Sequence, residues 1–498
     1  MVGAGVWPRA TSARGDSSLI ASATMPASST GPLRGPCTPT PVWRGALLGA
    51  LILAGGCTSY EAEPLEPLEI LRALERVQLA EVTSAEVTPV VSSFALGDGL
   101  SVLEASAVAV RRNPRLLALR AELGVAEAQL VQAGLLADPV IGWGSGDPLA
   151  DLILEGQVES TSWLTGASLS WQVPRPGEIG AREGVARARI HARAAELAGA
   201  EWTLVRDVHL AYARLLVARA RRAQTERLLE IAGRARDYFA RAKQAGAATA
   251  LDEALARVAA ATVQADAIGA RNAEVLAAQA LNALLGLSPG VALELQDSVA
   301  RLTAAAAPVD EPSDLVAASL DRRPDLQQVL ADYRQADETL RLQCALQWPQ
   351  LSIGTGVSIQ LPIFSRLNQP AIETATRRRD AARRRATAAV QATRAEVHAA
   401  LARARQAHAV FALFRDRLGP QAEETLRLTE RAFQAREVTP LQILTAQRQV
   451  LETQTRFLAA QEAWAAARIR LDSACGRLLP SARTPLPPSA EADPQEAR

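Results

Sequence analysis

The sequence predicts a mainly α fold with a small β part. Long coiled-coil hairpins carry four short strands per chain, which close together with other copies into a β-barrel and α-barrel tube. Three observations predict it. The second half of the 498-residue chain repeats the first. In each half, a stretch of ~70 residues carries apolar residues at helical spacing. Short apolar runs bounded by proline and glycine interrupt each half where a strand pair would fit.

The repeat is read from matched landmarks. Asn113-Pro114-Arg115-Leu116 and Arg323-Pro324-Asp325-Leu326 each open a helical stretch, which reaches Pro139 and Pro349 at the same spacing of 25 residues. Ser170-Trp171-Gln172-Val173-Pro174 recurs as Ser358-Ile359-Gln360-Leu361-Pro362. Gln244-Ala245-Gly246, Thr249 and Leu251 recur as Gln434-Ala435-Arg436, Thr439 and Leu441, and Gly286 matches Gly476.

Aromatics make up only 4% of the chain, and alanine and arginine dominate, which suits helices with thin interfaces. A net charge of +1 gives no global field for nucleic acid or anionic lipid, and no nucleic-acid partner is expected. The clusters Arg377–Arg379 and Arg383–Arg385 lack accompanying aromatics and read as a solvated helix face.

Residues 1–56 read as a lipoprotein-type signal peptide, with Met25 as an alternative start. Arg44 precedes the apolar run Ala46–Ala54, and Gly55-Gly56-Cys57 follows. The run is too short to span a bilayer. Cys57 is the candidate lipidation site, although Leu53 lies four residues before it, where a lipobox usually has three. Residues 57–98 read as a lipid-anchored, irregular tether. Of the remaining cysteines, Cys344 and Cys475 are expected too far apart for a disulfide and read as small hydrophobes.

Residues 99–290 form the first repeat. Its elements are a helix from about Leu103 to Leu136 broken at Asn113-Pro114, strands near Pro139–Gly144 and Trp163–Val173, a helix from about Gly177 to Ala245, and a return helix from Leu251 to Leu285. A connector, 291–312, separates it from the second repeat, 313–478. There the descending helix is read over Ser365–Gln434 and the return helix from Thr439 to about Gly476. A tail, 479–498, is expected to be disordered.

Lengths decide the architecture. A ~70-residue helix is roughly 105 Å long, while two return segments of ~35 residues climb back beside it. Such a helix buries its apolar stripe only against equally long neighbours. Four short strands cannot close a barrel, and open edges are not tolerated in lipid, so several copies must pool their strands.

In this order and register, the motifs resemble the TolC family of outer-membrane efflux proteins, specifically its lipid-anchored members, over about residues 100–480. The carrying pieces are Gln132–Pro139, Gln172-Val173-Pro174-Arg175-Pro176-Gly177, Leu361–Gln369 and Thr439–Arg448. The Pro-Arg-Pro-Gly and Phe-Ser-Arg-Leu-Asn-Gln forms look most like the branch serving heavy-metal efflux. The resemblance implies a homotrimer acting as a passive duct. Its implied partners are a periplasmic adaptor, an inner-membrane pump of the resistance-nodulation-division type, and outer-membrane lipid. It implies no cofactor and no enzymatic activity. One departure stands out. The second strand pair has almost no loop and about half the length that a membrane crossing requires. A non-conducting periplasmic coiled-coil lipoprotein is therefore the competing reading.

No nucleophile, base and acid group together in the sequence. His191, His209, His398 and His408 all fall within helices, and His209 and His398 are repeat-equivalent. Helix packing is the plain reading; a metal relay is the other. Asp252, Glu253 and Glu437, with Arg436 and Arg448 as partners, are candidates for a gate at the periplasmic mouth; helix-capping or solvated acids are the alternative. By resemblance, Gly246, Thr249, Leu251, Thr439 and Leu441 are the hairpin-tip positions that dock the adaptor. Trp143, Trp163, Trp171 and Trp348 fall where an interfacial aromatic belt would lie, or serve ordinary packing.

Overall fold

Each half of the chain folds as two helices, two strands and a long helical hairpin. The computed structural model describes residues 60, 62–76, 99–143, 167–304, 311–435 and 440–478. Cys57, Trp163, Arg436, Glu437 and Thr439 lie outside the described residues. All elements below belong to the unit Pro67–Arg498.

A short helix, α1 (Pro67–Arg76), comes first. It falls within the stretch read from sequence as irregular; Pro67 at the first helical turn and apolar residues three apart are the local signals that make it helical. The first repeat comprises α2 (Val102–Arg112), α3 (Pro114–Ala133), β1 (Val140–Trp143), β2 (Ala167–Val173), α4 (Glu178–Gln244) and α5 (Ala250–Leu285). A five-residue helix, α6 (Val299–Thr303), lies in the connector. The second repeat comprises α7 (Pro312–Arg322), α8 (Pro324–Ala345), β3 (Gln350–Gly354), β4 (Val357–Gln360), α9 (Gln369–Leu413), α10 (Gly419–Gln434) and α11 (Pro440–Ala474).

Local chemistry fixes the boundaries. Ser101 and Glu104 form a capping box at the start of α2. Asn113 accepts the Arg115 N–H at 3.0 Å, and Pro114 occupies the first position of α3, where its missing N–H costs nothing. α4 runs 67 residues without a break, about 100 Å.

The matching descent of the second repeat differs from the continuous helix expected over Ser365–Gln434. Its first residues make a corner, with Arg366, Leu367 and Asn368 all at positive φ, so α9 begins at Gln369. A π-helical turn at Phe414–Leu418 then separates α9 from α10, with the Gly419 N–H bonded to Phe414 O. Pro420 has no N–H and its ring collides with the carbonyl four residues back, so the ladder widens there.

Two homologous cores sit where the short helices meet the long ones. The first gathers Leu100, Val108, Leu116, Val208, Tyr212, Leu215, Leu281 and Leu285. The second gathers Leu315, Val397, Leu401, Trp464, Leu471 and Cys475. Val208 and Val397, Tyr212 and Leu401, and Leu285 and Cys475 are repeat equivalents. Cys475 thus occupies the place of a core leucine, and neither it nor Cys344 forms a disulfide.

Repeat equivalence extends to the corners. Asn113 donates its Nδ2 to Leu284 O at 3.1 Å, and Arg323 donates NH1 to Ala474 O at 3.3 Å. Arg323 is otherwise held by Asp325 and Glu396, each at 2.7 Å, with its guanidinium 5.1 Å from the Trp202 ring centre.

The chain is tied to this layer from above as well. Leu100 bridges in parallel to Leu295, and the Tyr212 hydroxyl lies 2.8 Å from Leu100 O and 3.1 Å from Asp297 Oδ2. Tyr212→Phe takes the hydroxyl from Asp297 Oδ2 and from the Asp297 N–H, which lies 3.3 Å from it, while Leu100 O keeps the Gln296 N–H at 3.1 Å. The substitution is expected to lower the unfolding free energy by about 1–3 kcal/mol in denaturant titration.

The paired histidines part company here. His209 is largely buried with Nε2 unpartnered, and burial lowers its pKa to about 4; His398 is exposed. The folded pKa of His209 lies below its unfolded value near 6.5, so the unfolded chain binds the extra proton. Stability is therefore full above pH 6.5 and falls as pH drops towards 4, by on the order of 2–3 kcal/mol. His209→Gln should flatten that part of the stability–pH curve.

Candidate channel-forming surfaces

The four strands form one antiparallel sheet in the order β1-β2-β3-β4. The repeats are joined at its centre, where Trp171 pairs with Ile353 and Val173 with Leu351. Paired residues share a face, so the register sorts side chains into two sets. Ile141, Leu169, Trp171, Val173, Leu351, Ile353, Val357 and Ile359 lie on one face. Ser168, Ser170, Gln172, Gln350, Ser352, Ser358 and Gln360 lie on the other, with Val140 the exception. The apolar face is open: Ile141 is 64% exposed, Val357 72% and Ile359 61%. An apolar outer face and a polar inner face are what a barrel wall in lipid requires.

Side chains lock the sheet to the helices beneath it. Trp171 Nε1 donates to Ala137 O at 2.9 Å, Arg175 Nε to Trp348 O at 2.8 Å, and Gln350 Nε2 to Val173 O at 2.7 Å. Gly177, at φ 74°, turns the chain into α4, where the buried Glu178 accepts the Arg175 N–H and pairs with Arg182. The Pro-Arg-Pro-Gly run is thus a strand-to-helix corner. In the second repeat Asn368 does that work, donating Nδ2 to Gln343 O at 2.8 Å.

The helices pack as rows with the same two free ends at every level. Near the sheet the order is α3-α4-α8-α9; farther down it is α5-α4-α11 followed by α9 and α10. Among the described residues, no extensive packing joins α3 or α5 to α9 or α10. The sheet ends the same way, at β1 on the α3 side and β4 on the α9 side.

α5 carries two seams. Ala256, Ala260, Val263, Ala267 and Ala270 are buried against α4. Leu251, Leu255, Val258, Ile268, Val275 and Leu276 are exposed, and their heptad spacing places them about opposite the first seam. A helix with apolar seams on opposite sides expects a neighbour on each.

At the hairpin tip between α4 and α5, Gly246 turns at φ 71°. Thr249 and Asp252 form a reciprocal capping box, and hydrogen bonds from Thr249 hold the Asp252 carboxyl below its usual range. Glu253 pairs with Lys243 at 2.5 Å and with Arg257 at 3.8 Å, and the Lys243 hydrogen bond holds its carboxyl low too. Lys243 was not singled out in the sequence reading. Its signal was there, since it is the only lysine of the chain. Leu251 is 67% exposed and Arg448 is exposed. Thr249→Ala removes the cap and is expected to speed amide exchange in the first turn of α5 several-fold, from a contribution of about 1 kcal/mol.

The profile of the outer membrane efflux protein family matches residues 106–287 and 315–477, one segment for each repeat. The chain belongs to the outer membrane efflux protein family. The cobalt-zinc-cadmium resistance protein CzcC of Cupriavidus metallidurans is 27% identical over 405 residues, covering 79% of this chain and 94% of CzcC. Among solved structures, CusC superposes with a TM-score of 0.63 at 18% identity, over 84% of this chain and 99% of CusC. The open state of the Neisseria gonorrhoeae MtrE outer membrane channel gives 0.60 at 19%, over 76% and 89%. This efflux protein is accordingly an outer-membrane channel by family, and its rows of helices and its sheet share the fold of those channels.

Proposed function

We propose that three copies of this efflux protein close into a continuous passive duct, anchored in the outer membrane by lipid at Cys57. The observation that carries this reading is the common pair of free ends in the sheet and in both helical levels. A head-to-tail contact repeated by rotation closes a ring at all three levels together. Three copies would supply twelve strands, an even number within the range of membrane barrels. The duct would receive substrate from a resistance-nodulation-division pump in the inner membrane through a periplasmic adaptor. Divalent metal ions are the cargo class proposed, on the strength of the CzcC relationship.

The lower tips serve as gate and docking site in this reading. Asp252, Glu253, Arg436, Glu437 and Arg448 would set the charge at the mouth, with Lys243 added as the partner of Glu253. Gly246, Thr249, Leu251, Thr439 and Leu441 would meet the adaptor. A second reading, a non-conducting periplasmic spacer, draws on one observation: β3 and β4 have only 5 and 4 residues, against ~9–11 for a membrane-crossing strand.

The test is native mass spectrometry of the detergent-purified protein, followed by planar-bilayer conductance. A trimer with stable conductance, whose gene deletion sensitises cells to divalent metals, supports the duct. A trimer without conductance favours the spacer, and a monomer overturns both ring and duct.

A further inference from the structure

α1 has an apolar face with no role in the tube described so far. Leu68, Ile70, Leu71 and Leu74 are 43–56% exposed. At 100° per residue Ile70, Leu71 and Leu74 fall within one arc, with Glu75 and then Leu68 along its edge, while Glu69 and Arg72 lie on the opposite side. A ten-residue helix is too short to hold together in water by itself, so its apolar face requires a cover.

Chain length limits where that cover can be. Pro67 lies ten positions after Cys57, at most ~35 Å of extended chain. On the other side, the 23 steps of chain from Arg76 to Gly99 reach up to ~80 Å. The drop from the sheet corner at Glu178 to the core residue Val205 on α4 is only ~40 Å. The chain can therefore enter the equatorial core at Leu100 without drawing α1 away from the membrane. Its side-chain charges, Glu69 and Glu75 against Arg72 and Arg76, sum to zero, so neither zwitterionic nor anionic headgroups repel it.

We propose that α1 is an interfacial helix whose Leu68, Ile70, Leu71 and Leu74 face lies in the lipid surface that carries Cys57. It supplies a second membrane attachment beside the acyl anchor and fixes where the tether leaves the bilayer. The proposal rests on the reading of Cys57 as lipidated. A single chain-borne anchor combined with a second weak contact is the arrangement that makes peripheral attachment durable.

The test uses the full chain, with Cys344 and Cys475 replaced by alanine, reconstituted into phosphatidylethanolamine and phosphatidylglycerol vesicles. Cysteine placed by Leu71→Cys, Leu74→Cys, Arg72→Cys or Arg76→Cys carries an environment-sensitive fluorophore, and doxyl-labelled lipid is the quencher. Positions 71 and 74 are expected to be quenched several-fold more than 72 and 76. Blue-shifted emission at 71 and 74 without lipid quenching means that protein covers the face and overturns the proposal. Water-like emission at all four positions overturns it too. The mass of the N-terminal peptide reports Cys57 acylation separately, so failure of the anchor and failure of the helix are told apart.

Discussion

Replacing Val258 and Ile268 together by aspartate is expected to leave a folded chain that no longer forms a ring. Both residues lie on the second seam of α5, 65% and 63% exposed, turned away from the α4 contact. In a closed ring that seam meets α9 and α10 of the next copy, where Val410, Leu413 and Leu428 are likewise exposed. A buried, unpartnered carboxylate costs several kcal/mol, and a threefold ring would bury six of them. Within one chain the same substitutions meet water and cost little. Native mass spectrometry should therefore show monomers with unchanged circular dichroism, and metal resistance should fall to that of a deletion strain. Gln264→Asp, also exposed on α5 but off both seams, serves as the control and should keep the assembly. A trimer persisting in the double variant would place the interface elsewhere.

The long elements were legible because their signals are local. Proline at 114 and 324, glycine at 286 and 476, and unbroken periodicity from Glu178 to Gln244 write the helices into the sequence directly. The sheet was only half legible. Alternation marked the strands, but the pairing of Trp171 with Ile353 joins residues 182 apart, and no local pattern announces it. Once that register is known, the apolar and polar faces follow from parity alone.

At the hairpin tip, sequence reasoning sought arginine partners for Glu253 across the second turn, whereas Lys243 lies ten residues back across its own turn. The second tip has Phe433 and Ile443 at the repeat-equivalent positions, so its chemistry is not a copy of the first. The π turn had its cause in plain view at Gly419-Pro420. Long helical periodicity on both sides outweighs that one proline in the sequence pattern. Arg323 shows the limit of motif reading. Its place before Pro324 was evident, but Glu396 and Trp202 arrive from other helices.

Gly286→Ala and Gly476→Ala are each expected to destabilise the helical part of the fold strongly. Both glycines end a return helix in the left-handed region, at φ 69° and 68°. Alanine pays roughly 1–2 kcal/mol for that conformation. A Cβ at 286 would also stand 2.8 Å from Arg112 O, and one at 476 would stand 2.7 Å from Arg322 Cβ. Neither neighbour can yield freely. Each sits one residue before the corner residue whose side chain bonds back to the same return helix, Asn113 to Leu284 and Arg323 to Ala474. Strain and collision together suggest a loss of about 3 kcal/mol each, read as a lowered denaturant midpoint. Asparagine separates the two causes, because it tolerates the left-handed region but still brings a Cβ. If collision dominates, Gly476→Asn is nearly as damaging as Gly476→Ala; recovery to wild-type stability would assign the whole effect to backbone conformation. Because the two corners lie in separate repeats without shared partners, the double alanine variant should show the sum of the single losses. A deficit beyond that sum would mean that the repeats unfold as one cooperative unit through the α4–α8 and α4–α11 contacts that join them.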